Sequence, residues 1–137
     1  GATLVHFEAG AWVQATLPGD VGTTSLRAVW ADAPNDVFVV GTGTTILHFD
    51  GTTWAHSPAA ADVTGLNLRS VWGSGPADVY ALGAVAGGKN GTILHFDGQM
   101  WTILQTEPLA LYALAGSGPH EVIAVGATQT VLRFTGP

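Results

Sequence analysis

The sequence predicts an all-β chain of repeated four-stranded units, and three observations predict it. One phrase occurs three times: LRAVWADAPNDVFVVG (Leu26–Gly41), LRSVWGSGPADVYALG (Leu68–Gly83) and LYALAGSGPHEVIAVG (Leu111–Gly126). A second phrase alternates with it: TLVHFEAGAW (Thr3–Trp12), TILHFDGTTW (Thr45–Trp54), TILHFDGQMW (Thr92–Trp101) and a clipped TVLRFTG (Thr130–Gly136). Equivalent positions such as Trp12, Trp54 and Trp101, or Val37, Val79 and Val122, step by about 42 to 47 residues. A period near 40–50 with several short strands in each unit is the signature of a β-propeller blade.

Each unit parses into strands A to D. In the most complete copy these are Leu68–Trp72, Asp78–Ala84, Thr92–Phe96 and Met100–Leu104. Strand B is nearly all apolar, as expected of a strand covered on both faces. The A–B connection carries Pro34 with Asp36, Pro76 with Asp78, and Pro119 with Glu121; proline presets the turn, and each carboxylate is expected to accept backbone N–H groups of its own turn. The C–D connections Asp50-Gly51 and Asp97-Gly98 predict two-residue type I′ hairpins, with both aspartates as turn caps. The D–A loops are long at Ala15–Ser25 and Ser57–Asn67 but short at Gln105–Pro108, and the B–C loop Val85–Gly91 is expanded. These loops emerge on one face of a propeller, and variation concentrated there marks a face that carries function, or tolerated drift at a surface.

The units read as a partial blade at 1–15, blades at 26–56 and 68–104, and a partial blade at 110–137, in one repeat domain of about three blades. Propellers use about four to eight blades. An open arc exposes two apolar faces, which favours association. Two arcs about a two-fold axis would form a six-bladed homodimeric ring, with Thr3–Phe7 and Thr130–Phe134 competing for one slot. A fragment of a longer propeller is the competing reading.

Composition narrows the function classes. The 137 residues are 47% hydrophobic and 10% charged, with 19 Gly and 7 Pro, which suits short strands and tight turns and not disorder. The net charge is −6, and the four cations Arg27, Arg69, Lys89 and Arg133 form no basic stripe, so no nucleic-acid partner is expected. Absence of cysteine removes disulfides, thiolate metal sites and a Cys nucleophile. No apolar run approaches 18 residues, so no membrane insertion is expected. No basic-then-apolar leader opens the sequence; a secreted or cell-surface protein would be in its mature form.

The phrases V-W-G-S-G-P-x-D-V-Y-A-x-G and T-I-L-H-F-D-G-x-x-W resemble the blade repeats of large secreted bacterial β-propeller proteins. The Phe49–Trp54 hairpin is also similar to the Asp-box of sialidase-type propellers, although the Asp-box serine is absent and Trp54 follows Asp50 too closely. In those families the Asp-box is a structural hairpin remote from the active site. The architecture is similar to that of propeller lectins, which implies carbohydrate binding as an expectation.

Candidate chemistry is weighed against packing. His6, His48 and His95, with His56 and His120, suggest a metal. However, equivalent positions in neighbouring blades lie more than about 10 Å apart, while a metal needs ligands within about 2.0–2.2 Å. They are expected to be inter-blade packing groups with one hydrogen bond each, and no metal or cofactor is implied. A glycosidase needs two carboxylates about 5–9.5 Å apart, and one carboxylate per blade does not supply them, so no enzyme is predicted. Trp12, Trp54 and Trp101 are expected to wedge between outer strands. Trp30 and Trp72 end strand A and are replaced by Ala115 in the third copy; they pack between blades or stack on a sugar. Arg27 and Arg69 are expected to be partly buried and paired, with a carboxylate or with a ligand, and Tyr112 takes their place in the third copy. The Gly-rich stretches Gly41–Thr45 and Gly87–Gly91 are not P-loops. Asn90-Gly91-Thr92 is formally a glycosylation sequon and reads as a tight turn.

The functional expectation is a non-enzymatic, lectin-like module with repeated glycan sites between blades. Its candidate ligand residues are Trp30 and Trp72, toward the A–B face, and Arg27, Arg69, Tyr112, Lys89 and Asn90, toward the opposite, variable-loop face, which also carries Thr23, Thr24, Ser25, Thr42 and Thr44. The alternative is a structural or protein-interaction scaffold, including an excised or engineered half-propeller that self-assembles. The partners expected are a second copy and glycans.

Overall fold

A computed structural model describes residues 1–119 and 121–135. It forms four antiparallel sheets, each built from consecutive strands. Strands β1 (Val5–Glu8) and β2 (Ala11–Gln14) form a hairpin. Blade 2 holds β3 (Leu26–Ala33), β4 (Asp36–Gly41), β5 (Ile46–Phe49) and β6 (Trp54–His56). Blade 3 holds β7 (Leu66–Gly75), β8 (Asp78–Val85), β9 (Gly91–Phe96) and β10 (Trp101–Glu107). Blade 4 holds β11 (Leu111–Gly118), β12 (Glu121–Gly126) and β13 (Val131–Phe134). The predicted A-B-C-D pattern is therefore present. Strand A extends past Trp30 and Trp72 instead of ending there, and β10 runs to Glu107, which shortens the third D–A connection.

Alternation along the strands builds the stack. Successive residues of a strand point to opposite faces. In β8, Val79 and Ala81 pack with Phe38, Val40 and Ile46 of blade 2. Their neighbours Tyr80 and Leu82 pack with Leu111, Leu114, Val122 and Ala124 of blade 4. After its opening Asp78, β8 is apolar at every position because each of its faces is a core. A third core joins Val39 and Leu47 of blade 2 to Leu4, Leu17 and Val21, the last carried by a 3₁₀ turn over Gly19–Thr23.

The strand-D tryptophans differ because their neighbours differ. Trp101 is fully buried, and its indole N–H donates to Ser57 Oγ at 3.0 Å. The loop after β6 completes that site: the Trp101 N–H donates to the Pro58 carbonyl and the Trp101 carbonyl accepts from Ala60 N–H, both at 2.9 Å. Trp54 is half-buried and stacks on Phe49 at 5.2 Å between ring centroids. Trp12 is 70% exposed and touches Phe7 edge-on.

The hairpin turns also differ from expectation. Gly51 and Gly98 are left-handed, at φ 92° and 93°, but Asp50 and Asp97 are not, so these are not type I′ pairs. The Asp side chain organises a longer loop instead: Asp50 Oδ1 accepts from Thr52 and Thr53 N–H at 2.8 Å, and Asp97 Oδ1 accepts from Gln99 and Met100 N–H at 2.9 Å. That part of the expectation, the aspartate as turn cap, holds. Consecutive left-handed residues occur at Ala9-Gly10, Gly43-Thr44 and Thr128-Gln129.

Candidate functional site

The repeated polar residues form one pair in each blade. Asp36 accepts from His48 at 2.6 Å, Asp78 from His95 at 2.8 Å, and Glu121 from Arg133 at 2.8 Å. These carboxylates do not cap their own A–B turns as predicted. Each opens strand B, where it lies diagonally across from the strand-C residue opposite Phe38, Tyr80 or Ile123, within reach of a long polar side chain. His48 stacks on Phe38 at 4.4 Å between centroids and His95 lies tilted over Tyr80 at 4.7 Å, so the contacts of both are within their own blade, where packing between blades was expected. His6 pairs with Glu8 and His56 with Asp20, both at the surface. His120 lies outside the described residues. Among the described residues no three ligand-type side chains gather.

The blade 3 pair has the most developed electrostatics. Burial raises the pKa of Asp78, but hydrogen bonds from Ser74 and His95 outweigh it and hold the carboxyl below its ordinary 3.8. The Tyr80 phenol is pushed up to about 12, by burial first and by neighbouring Asp78 second. Its hydroxyl is buried without a hydrogen-bond partner among the described residues. A raised folded pKa favours folding fully below the unfolded value of 10.0 and is lost as the pH rises from there through about 12. Stability measured by urea titration across that window is expected to fall more steeply for the wild type than for Tyr80→Phe. Equal slopes would contradict the assignment. The variant should fold, since Phe38 occupies the same position in blade 2.

Trp30 and Trp72 each face the next blade. A Cβ placed on Gly73 would lie 2.7 Å from the Trp30 ring, and one on Gly116 would collide with the Trp72 ring. On their own blades they stack against Phe38 and Tyr80, at 6.3 and 6.5 Å between centroids. Packing therefore occupies these rings, and they do not offer the free faces that sugar stacking needs.

Arg27, Arg69 and Tyr112 are brought together by a feature that sequence reasoning missed. In strand A of each blade the register slips between Leu26 and Ala28, Leu68 and Ser70, and Leu111 and Ala113. The residue skipped is Arg27, Arg69 or Tyr112. A β-bulge re-aims a side chain away from the regular pleat. All three are exposed, which corrects the expected partial burial, and neither arginine has a carboxylate within ion-pair distance among the described residues. Neighbouring A strands lie side by side, with Ser70 Oγ accepting from Leu114 N–H at 3.2 Å. The three bulges therefore make a row, and the Arg69 guanidinium carbon sits 5.9 Å from the centre of the Tyr112 ring. A one-residue excess before each V-W or L-A pair was the available signal, but it is visible only once the partner strand sets the register.

The row sits at the variable-loop end of the blades, since Leu26 and Leu68 pair with Gly41 and Gly83 at the end of strand B. Lys89 and Asn90 are exposed in the B–C loop at the same end of blade 3. Three of the five hydroxyls there already have partners. Thr42 Oγ1 accepts from Ser25 N–H at 2.9 Å, Thr44 Oγ1 from Leu66 N–H at 2.8 Å, and Thr24 Oγ1 donates to the Val21 carbonyl at 2.9 Å.

No protein-family model and no curated protein matches the chain. Solved structures do. YCF48 from Cyanidioschyzon merolae aligns at a TM-score of 0.70 with 16% identity, over 97% of this chain and 44% of that one. A structure of YCF48 bound to D1 peptide aligns at 0.68 with 18% identity, over 83% of this chain and 38% of that one. The chain thus spans less than half of either neighbour. With its four-stranded antiparallel sheets, this likeness shows the fold: the chain is an arc of β-propeller blades.

Proposed function

We propose that the chain is a non-enzymatic protein-interaction scaffold, and that the row Arg27, Arg69 and Tyr112 takes up a carboxylate-bearing segment of a protein partner. One observation carries this reading: equivalent bulges in three consecutive blades present cation, cation and aromatic to solvent. Guanidinium groups bind carboxylates through paired, charge-assisted hydrogen bonds, and an aromatic beside them adds apolar area. The bound peptide of one structural neighbour makes a peptide the first partner class to test. The glycan reading ranks behind it, because the rings on which it rested, Trp30 and Trp72, are engaged between blades. Catalysis ranks last, because His6, His48, His56 and His95 each engage a separate carboxylate, with no nucleophile–base pair among them.

The test is fluorescence anisotropy with a labelled peptide ending in acidic residues and a free carboxylate, against its neutral, amidated counterpart. The acidic peptide is expected to bind, and Arg27→Ala with Arg69→Ala to weaken it at least about tenfold, since hydrogen bonds to charged groups contribute about 1.5–3 kcal/mol each. Equal binding of both peptides, or no loss in the double variant, would reject the site.

A further inference from the structure

We infer that the two open faces of the arc are complementary, and that a second copy of this chain closes the ring through an exchange of β1–β2. At both blade junctions inside the chain, a tryptophan of one blade covers a glycine of the next: Trp30 over Gly73, and Trp72 over Gly116. The outer positions break this rule in a matched way. Blade 2, which has no A and B strands in front of it among the described residues, carries Ala31 where the others carry glycine. Blade 4, which has no blade behind it among the described residues, carries Ala115 where the others carry tryptophan. A Trp-bearing blade placed before blade 2 would strike the Ala31 methyl. Ala115 meets it without a clash. The leading face therefore rejects the repeat's ordinary neighbour and accepts blade 4.

The exposed apolar residues describe the same joint. Val29 is 64% exposed, while its counterparts Val71 and Leu114 are buried by the blade in front. Ile123 and Val125 are exposed, while their counterparts Tyr80 and Leu82 are buried by the blade behind. Leu4 before the exposed hairpin β1–β2, and Leu17 and Val21 after it, cover only the Val39 and Leu47 part of the leading face, which leaves the Val29 and Ala31 part for strands A and B. Strands β11 and β12 of a second copy supply those strands. The hairpin then pairs with β12 as strands C and D of one composite blade, and β13 yields its place to β1. The sequences Thr3–Phe7 and Thr130–Phe134 match, so Val5 and Phe7, exposed in the arc, take the places of Leu132 and Phe134 against blade 3 of the other copy. Two copies give six blades, within the range of about four to eight that propellers use; three copies would give nine. The row of bulges also becomes continuous, with Tyr112 of each copy beside Arg27 of the other.

Light scattering coupled to size exclusion tests this with the 137-residue chain. The expected mass is twice 14.0 kDa. Ala115→Trp should weaken the dimer by about 10²–10⁴-fold, because overpacking costs about 1–3 kcal/mol at each of two junctions. Adding Ala31→Gly recreates the internal Trp–Gly pair and should restore the dimer. Phe7→Asp changes a side chain that is solvent-exposed in the arc, so it should leave blades 2 and 3 folded and yield the 14.0 kDa monomer. A monomeric wild type, failure of Ala31→Gly to rescue, or a dimer unaffected by Phe7→Asp would each overturn the inference. Peptide binding is read separately, so a monomer that still binds the acidic peptide rejects closure alone.

Discussion

Trp101→Ala is expected to lower unfolding stability by about 3–5 kcal/mol, the range for deleting a buried aromatic side chain and leaving its cavity. The indole is fully buried, packs on Phe38 of blade 2 and Phe96 of its own blade, and donates to Ser57. It therefore joins two sheets and the loop between them, and its loss removes apolar contact and leaves Ser57 Oγ without its donor. Trp54→Ala, at the equivalent position in a half-buried site, should cost only about 1–2 kcal/mol, since apolar stabilisation scales with the area removed from water. Urea titration followed by far-ultraviolet circular dichroism measures both. Equal losses would mean that repeat position sets these contributions, not the neighbouring blade.

Gly73→Ala is expected to destabilise by about 1–3 kcal/mol, because its methyl would enter the space of the Trp30 ring. The cause is a single contact, so the effect should depend on its partner. In a Trp30→Leu background the Gly73→Ala cost should shrink by at least about 1 kcal/mol, as contacting residues couple by roughly 0.5–3 kcal/mol. Gly75→Ala is the control. No neighbour lies within 4 Å of the added methyl, and the change should stay within about 0.5 kcal/mol. Additive losses at residues 30 and 73 would remove the packing pair that underlies the complementarity of Ala31 and Ala115.

Much of the fold was legible because blade structure is local and repeated. Alternating apolar residues, Asp-Gly connections and apolar B strands place the sheet order within each unit from neighbouring residues alone. The failures fall where a residue answers to something distant in sequence. The Asp36, Asp78 and Glu121 carboxylates read as turn caps because proline and a turn lie beside them, but strand C brings His48, His95 and Arg133 across the ladder. Arg27 and Arg69 read as half-buried because apolar residues flank them. The bulge that turns them outward exists only in the pairing of strand A with strand B.

The sequence by itself determined the repeat, its four-strand grammar, the all-β class and the capping role of Asp50 and Asp97, since each depends on periodicity or on contacts a few residues apart. Tertiary structure decided which copies of a repeated residue are equivalent in fact. Trp12 and Trp101 share a position in the repeat, yet one is open to solvent and the other is fully buried. Ala31 and Gly73 share another, and differ by what stands in front of them. Burial belongs to a residue together with its neighbour in the next blade. Period and composition specify the blade, and only the stacked arrangement specifies which of its faces is covered.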